Sequence, residues 1–193
     1  DRDEAGWRTA LARLLSAIGP RATSVMPPRE LRRILVVQLQ QVGDTVIFAP
    51  ALRAIRERYP AARIEVLVHR VGAQLYRSCP LVDEIIAERS WGKGGLHFLP
   101  LRTLLKLRGR RYDAVLTDVT ESAFAYALLA RLIGAPVRVG FNQASRGALH
   151  TVQVPYDDSR GFLRSNLEIA RAIGADVTSP REGVFLAEAG RTH

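Results

Sequence analysis

Gly43 and Asp44 stand where an apolar run gives way to a helical pattern, and this junction holds the residues best placed for chemistry. Ile34 to Val37 is long enough for a buried strand and too short for a helix. Gln38, Gln40 and Gln41 follow around Leu39, and Thr45 begins a new apolar pattern. The order reads as strand, tight loop and helix, with Asp44 where the helix starts. In open parallel sheets ligands bind just outside the carboxyl ends of the strands, so this loop faces a binding position. A carboxylate there stays ionised, because the helix dipole and the free N–H groups favour the anion. It is then able to receive a proton, or simply to cap the helix Thr45–Tyr59, a role worth ~1 kcal/mol. On the residues alone the cap is the simpler role. Gly43 allows a backbone approach to a ligand, or a turn that a side chain would hinder.

Other chemistry-bearing positions fall in loops of the same kind. Arg89 and Lys93 lie around the glycine-rich loop that follows the third expected strand, and Arg146 follows the fifth. A guanidinium fork matches phosphate geometry, so these positions suit an anionic ligand, although each serves equally well as a solvated surface charge. Asp118 and Thr120, after the fourth strand, are placed to bind hydroxyl groups. Trp91 can stack on a sugar, but packing is its simpler role. His69, His97, His150 and His193 show no metal-ligand spacing, and no metal is expected. Gly-x-Gly-x-x-Gly does not follow the first strand, which argues against a nicotinamide or flavin enzyme. The Walker A and Gly-x-Ser-x-Gly patterns are absent too.

The elements that must position these residues alternate regularly. Strands are expected at Ile34–Val37, Arg63–Val68, Asp83–Ala87, Asp113–Thr117 and Val137–Gly140, the third short and edge-like. Helices are expected at Thr45–Tyr59, Val71–Ser78, Leu99–Arg108, Ser122–Ile133 and Leu163–Ile173. Pro60, Pro80, Gly109, Gly134 and Gly174 mark their ends. Pro50 falls inside the first of them, where a local bend or a short first segment is expected. Five strands alternating with helices form the pattern of a doubly wound α/β domain with a parallel sheet. Ahead of it, Ala5–Ile18 reads as an amphipathic helix, and the segment through Pro27-Pro28 as a linker. The expected division is 1–29 for helix and linker, 30–175 for the domain, and 176–193 for a linker toward something further.

Composition narrows the class. The chain has 193 residues, and apolar types make up 47%, enough for a sizeable core. No apolar run approaches the ~20 residues that span a bilayer. The opening Asp-Arg-Asp-Glu lacks the basic and apolar character of a signal peptide, and with no initial Met the chain reads as part of a longer protein. Cys79 is the single cysteine, so no internal disulfide forms; a reducing, cytoplasmic setting is expected. Net charge is +9, and Lys93 and Lys106 are the only lysines among 28 basic residues. These charges are scattered, Arg108-Gly-Arg110-Arg111 being the longest cluster. An anionic small or lipid-linked ligand is favoured over nucleic acid.

The first strand, the Gly43-Asp44 turn and the helix through Pro50-Ala51-Leu52 resemble the opening motif of the heptosyltransferase family, glycosyltransferase family nine. Further pieces are similar in order and spacing: Ile64–Val68, Pro80-Leu-Val-Asp83, Tyr112-Asp113, Gly134-Ala-Pro136-Val-Arg138-Val-Gly140-Phe141, and Asn166-Leu167-Glu168 with Ala172-Ile-Gly174. Together they cover about residues 33–175.

This resemblance implies the N-terminal, Rossmann-like half of a GT-B glycosyltransferase fold, with a donor-binding half outside the chain. It implies an inverting transfer of heptose or a related sugar from a nucleotide-sugar donor, typically ADP-heptose, without metal or other cofactor. The implied acceptor is an anionic saccharide or lipid-linked molecule such as lipopolysaccharide core, with the protein cytoplasmic or peripheral at the inner face of the cytoplasmic membrane. Asp44 matches the family's Gly-Asp motif and becomes the candidate base. Gln40, Gln41, Gly43, Arg89, Lys93, Asp118, Thr120 and Arg146 become candidate acceptor contacts. The family loop often carries Lys or Arg and small residues where Gln38, Gln40 and Gln41 stand. Its common Asp-x-Gln-Gly after strand four reads Asp118-Val-Thr120-Glu121 here, and a usual His near the last helix is replaced around Gly161-Phe162. These departures leave open an acceptor that is a protein or small molecule, or a binding or scaffold domain without catalysis.

Overall fold

The structure, a computed structural model, describes Leu14 and residues 30–39, 42–88, 101–118, 124–142 and 144–178. The expected N-terminal helix, apart from Leu14, and residues 179–193 of the expected linker lie outside this set. Within it the chain runs β1 (Arg33–Gln38), α1 (Val42–Arg58), β2 (Arg63–His69), α2 (Ala73–Tyr76), β3 (Glu84–Glu88) and α3 (Leu101–Gly109). It continues with β4 (Ala114–Thr117), α4 (Phe124–Ile133), β5 (Val137–Asn142), β6 (Val152–Pro155) and α5 (Gly161–Ala172), with 3-10 turns at Ala144–Leu149 and Asp158–Arg160.

All strand pairs are parallel, in the order β3-β2-β1-β4-β5-β6. This is the doubly wound arrangement, and the direction of winding reverses between β1 and β4. β3 is an edge, as its short pattern suggests. β6 adds a sixth strand to the five expected. Only Val154 of its four residues is buried, so its pattern carries too little apolar signal to read in isolation. Pro155 is tolerated there because an edge strand leaves N–H groups unused.

Central strands of such a sheet are covered on both faces, which is why β1 is a continuous apolar run. Ile34 and Val36 pack into the layer of α1 and α5, with Phe48, Leu52, Ile55, Leu167 and Ile169. Leu35 and Val37 point the other way, into the layer of α3 and α4, with Leu107, Leu129 and Ile133. Alternation along one strand therefore feeds two cores. Pro50 does not divide α1, which runs unbroken from Val42 to Arg58. A proline inside a helix costs about 3 kcal/mol. Burying Phe48, Leu52 and Ile55, each worth roughly 1.5–3 kcal/mol, offsets it. Gly134 and Gly174 adopt the left-handed backbone that closes α4 and α5.

The amino ends of the strands are tied by charge. The Asp113 carboxylate accepts the N–H groups of Arg32 and Arg33 at 2.8 Å each, pinning the start of β1. Asp83 does the same for β2, accepting Ile64 N–H at 2.7 Å and Arg56 at 2.6 Å. Both resemblance motifs that end in aspartate thus have a structural purpose. Glu65 is fully buried, and it accepts Tyr112 O–H at 2.5 Å and Arg63 Nε at 2.9 Å, with Arg110 as a further partner. A carboxylate survives such burial only when paired and hydrogen-bonded in this way. Arg110 also reaches Glu84, whose other partner is Arg63 at 2.8 Å.

The Arg110 hydrogen bond, with help from Arg63, lowers the Glu84 carboxyl from its ordinary 4.5 to about 2. The unfolded chain therefore takes up this proton at higher pH than the folded one. The stabilisation is complete above about pH 4.5 and lost as pH falls toward about 2. Denaturant midpoints of the native chain and Glu84→Gln should differ near neutral pH and converge only as the pH approaches about 2. A gap that stays constant across that range would count against this role.

Candidate functional site

The carboxyl ends of β1 and β4 lie side by side where the winding reverses, the position at which open α/β sheets receive ligands. Gln38 is the last residue of β1 and Asp118 the first after β4, and both are buried to 2% exposure. Gln38 Nε2 donates to the Asp118 carboxylate at 3.2 Å. On the other side of the amide, Tyr76 O–H, at the end of α2, donates to Gln38 Oε1. Tyr76 is itself buried, and desolvation pushes its phenol well above the usual range, with Cys79 and Asp118 adding to the effect. It stays a hydroxyl donor, so the Gln38 amide has one orientation that satisfies both neighbours.

Asp44 is the third residue of α1, half-buried in its first turn. The helix begins at Val42 rather than at Thr45, so Asp44 is not the residue that precedes the helix. It lies inside the turn, where free N–H groups and the positive end of the dipole still favour a carboxylate. Gly43 is helical and exposed, and it is not among the residues with positive φ. A Cβ there would meet nothing within 4 Å. Turn geometry therefore does not require this glycine, and none of the described residues fills the space beside it.

Thr45, next to Asp44, is buried against the loop ahead of α2. A Cβ on Gly72 would lie 3.0 Å from Thr45 Oγ1 and equally close to Val68. The first turn of α1 therefore rests on the segment whose far end carries Tyr76. On the opposite face of the sheet, Gly140 has no room for a side chain. A Cβ would come within 2.3 Å of the His150 ring and 2.6 Å of Thr117 Oγ1. His150 is buried in this packing, and Thr117 donates to Val139 O at 3.1 Å. Arg138, also buried, donates to Leu149 O at 2.9 Å and Ala135 O at 2.8 Å, and desolvation lowers its guanidinium to about 10. It stitches the loops around β5 to the strand.

Of the positions expected from sequence, Asp44, Gly43 and Asp118 come to the reversal point. Arg146 lies in the 3-10 turn Ala144–Leu149 that follows β5. Gln40, Gln41, Arg89, Trp91, Lys93 and Thr120 lie outside the described residues. Sequence reasoning overlooked Gln38 and Tyr76 as site residues. A polar residue closing an apolar strand was a usable signal for Gln38, whereas nothing local marks Tyr76. Among the described residues, no group of three His, Cys, Asp or Glu side chains is placed to hold a metal ion.

No family model matches the chain. In sequence it is 33% identical to lipopolysaccharide heptosyltransferase 2 of Escherichia coli K12 over 124 residues, 63% of this chain and 35% of that relative. In structure it is similar to the glycosyl transferase family 9 protein of Veillonella parvula, with a TM-score of 0.66 and 20% identity over 82% of this chain and 45% of that one. It is also similar to E. coli heptosyltransferase WaaC solved with ADP, with a TM-score of 0.62 and 17% identity over 79% of this chain and 51% of that one. The chain thus spans about a third of the length of the curated relative and about half of the solved structures. The sequence match supports the resemblance to the heptosyltransferase family, and the structural matches establish that this chain shares the α/β fold of about half of each of those proteins.

Gln38 and Tyr76 should act as one unit. Gln38→Leu removes a donor from the buried Asp118 and should cost ~1–3 kcal/mol, and Tyr76→Phe about 1 kcal/mol. The double variant should lose clearly less than the sum, because Tyr76 acts through the amide that Leu removes. Urea unfolding of the four proteins measures this coupling, and strict additivity would refute it.

Proposed function

We propose that the protein is an inverting glycosyltransferase that moves a heptose or related sugar from ADP-heptose, or a similar nucleotide-sugar, to an acceptor hydroxyl of lipopolysaccharide core. The chain is read as the acceptor-binding half of that enzyme. The observation that carries this reading is the Asp44 carboxylate in the first turn of α1, half-buried at the point where the sheet reverses. The sequence likeness to a heptosyltransferase and the ADP in the WaaC structure support the choice of donor.

In this reading Asp44 takes the proton from the acceptor hydroxyl as it attacks the anomeric carbon, and the nucleoside diphosphate leaves from the opposite face. The acceptor enters beside Gly43, with Gln40 and Gln41, which precede it in the sequence, as further contacts. Asp118 and Thr120 hold acceptor hydroxyls, and Arg89, Lys93 and Arg146 face its anionic groups. No cofactor enters the reaction, and stabilisation of the leaving diphosphate falls to a donor-binding half. The protein works in the cytoplasm, where the nucleotide-sugar is available.

A second reading has its own observation. The neutral Gln38 amide contacts Asp118 where the family loop often supplies a positive charge, which suits a binding domain that no longer catalyses.

Asp44→Asn separates the two. Asparagine can still accept first-turn N–H groups but cannot take a proton. In the protein that joins this chain to a donor-binding half, the variant should melt within a few degrees of the native form. Its initial rate at saturating ADP-heptose should fall by ~10²-fold or more. A native rate in the Asn variant would exclude Asp44 as the base and favour the binding reading. The 193-residue chain alone, given ADP-heptose and lipopolysaccharide core, should form no product; multiple turnovers would overturn the half-enzyme reading.

A further inference from the structure

Helix α3 is built outward in a way that its own core does not explain. Thr103 and Leu107 are buried, Leu104 packs beside them, and Thr103 donates to Glu88 at 2.7 Å. One turn apart on the outer side, Leu101 and Leu105 are 69% and 59% exposed. At 100° per residue they lie near the pole opposite the buried stripe, where a surface helix normally carries polar groups. Arg102 and Lys106 are exposed beside them, while Arg108 turns to α4 and donates to Leu132 O at 2.9 Å. The helix contains no acidic residue, and neither does the sequence from Arg89 through Tyr112. The flanking carboxylates are already engaged, Glu88 by Thr103 and Asp113 by the backbone of β1.

We propose that the outer face of α3 docks on an anionic phospholipid bilayer, with Leu101 and Leu105 entering the headgroup boundary and Arg102 and Lys106 facing lipid phosphates. Apolar residues ringed by cations are the signature of an interfacial helix, since burial and attraction to anionic lipid act together. Charge decides against a second copy of the chain. A symmetric contact through this face would bring Arg102 and Lys106 toward their own equivalents. The other exposed apolar pair, Phe162 and Leu163 on α5, lacks the same field. There Arg160 meets Asp157 at 3.0 Å, and Arg171 and Arg160 both meet Glu168. Among the described residues no helix is long and apolar enough to cross a membrane, so the contact is one of surface docking. Helices in this fold run back against their strands, so Leu101 opens α3 on the side where the β1 and β4 loops emerge. Docking there holds those loops near the headgroups.

Vesicle co-sedimentation of the 193-residue chain tests this without any transfer reaction, so its result is independent of the proposed function. The chain should pellet with phosphatidylcholine–phosphatidylglycerol vesicles and remain in solution with phosphatidylcholine alone. The paired variants Leu101→Ser with Leu105→Ser, and Arg102→Gln with Lys106→Gln, should each weaken partitioning about tenfold while leaving the melting temperature unchanged. Phe162→Ser with Leu163→Ser should bind as the native chain does. The proposal fails if the native chain ignores anionic vesicles or if both α3 variants bind normally. It also fails if the Leu101→Ser, Leu105→Ser variant instead abolishes a dimer seen by sedimentation velocity without lipid, which would give the face to a second copy.

Discussion

Strand β1 is covered on both faces and paired along both edges, and the rest of the molecule is arranged to satisfy it. Ile34 to Val37 are wholly buried, so each needs a layer above or below the sheet. α1 and α5 supply one layer, α3 and α4 the other. Along its wholly buried run the strand carries only aliphatic side chains. The first polar side chain on the carboxyl side is Gln38, and the site grows from there. Loss of either covering layer would expose a run of aliphatic residues that the chain has no other means of shielding.

The two ends of the sheet handle charge differently. At the amino ends, carboxylates meet guanidinium groups and backbone N–H groups: Glu65 and Glu84 with Arg63 and Arg110, Asp113 with the start of β1. These are closed arrangements whose product is a fixed strand register. At the carboxyl ends, the described partners of Asp118 include a neutral amide, and Asp44 sits in a helix turn beside Gly43. Arginine is thus spent on the fold at one end, while at the other Asp118 accepts from the Gln38 amide. That division separates the aspartates that pin the starts of the strands from those at the carboxyl edge of the sheet, a distinction that residue type alone does not make.

The short helix α2 links these features. Its leading loop supports Thr45 in the first turn of α1, and its last residue, Tyr76, sets the Gln38 amide. Segments far apart in the chain therefore converge on one buried polar cluster. Such a cluster is costly to bury and specifies one arrangement only when each member is satisfied, which ties the position of the Asp44 turn to the end of β4.

The class of this fold was readable from local pattern. Runs such as Ile34–Val37, and helical spacing punctuated by Gly134 and Gly174, depend on neighbours within a few residues, and burial on alternate faces leaves its mark there. Asp44 was legible for the same reason, since strand, turn and helix are consecutive; only its exact station in the helix differed. β6 was not, because four residues with a single buried side chain carry no period. Nor was the partnership of Gln38 with Asp118, 80 residues apart, or of Tyr76 with Gln38, 38 apart. The order of strands in the sheet brings those groups together, and that order is set by packing the whole chain around β1. Sequence determined which residues form strands and helices; only the tertiary structure decided which polar side chains meet, because their contacts depend on adjacency in the sheet and not along the chain.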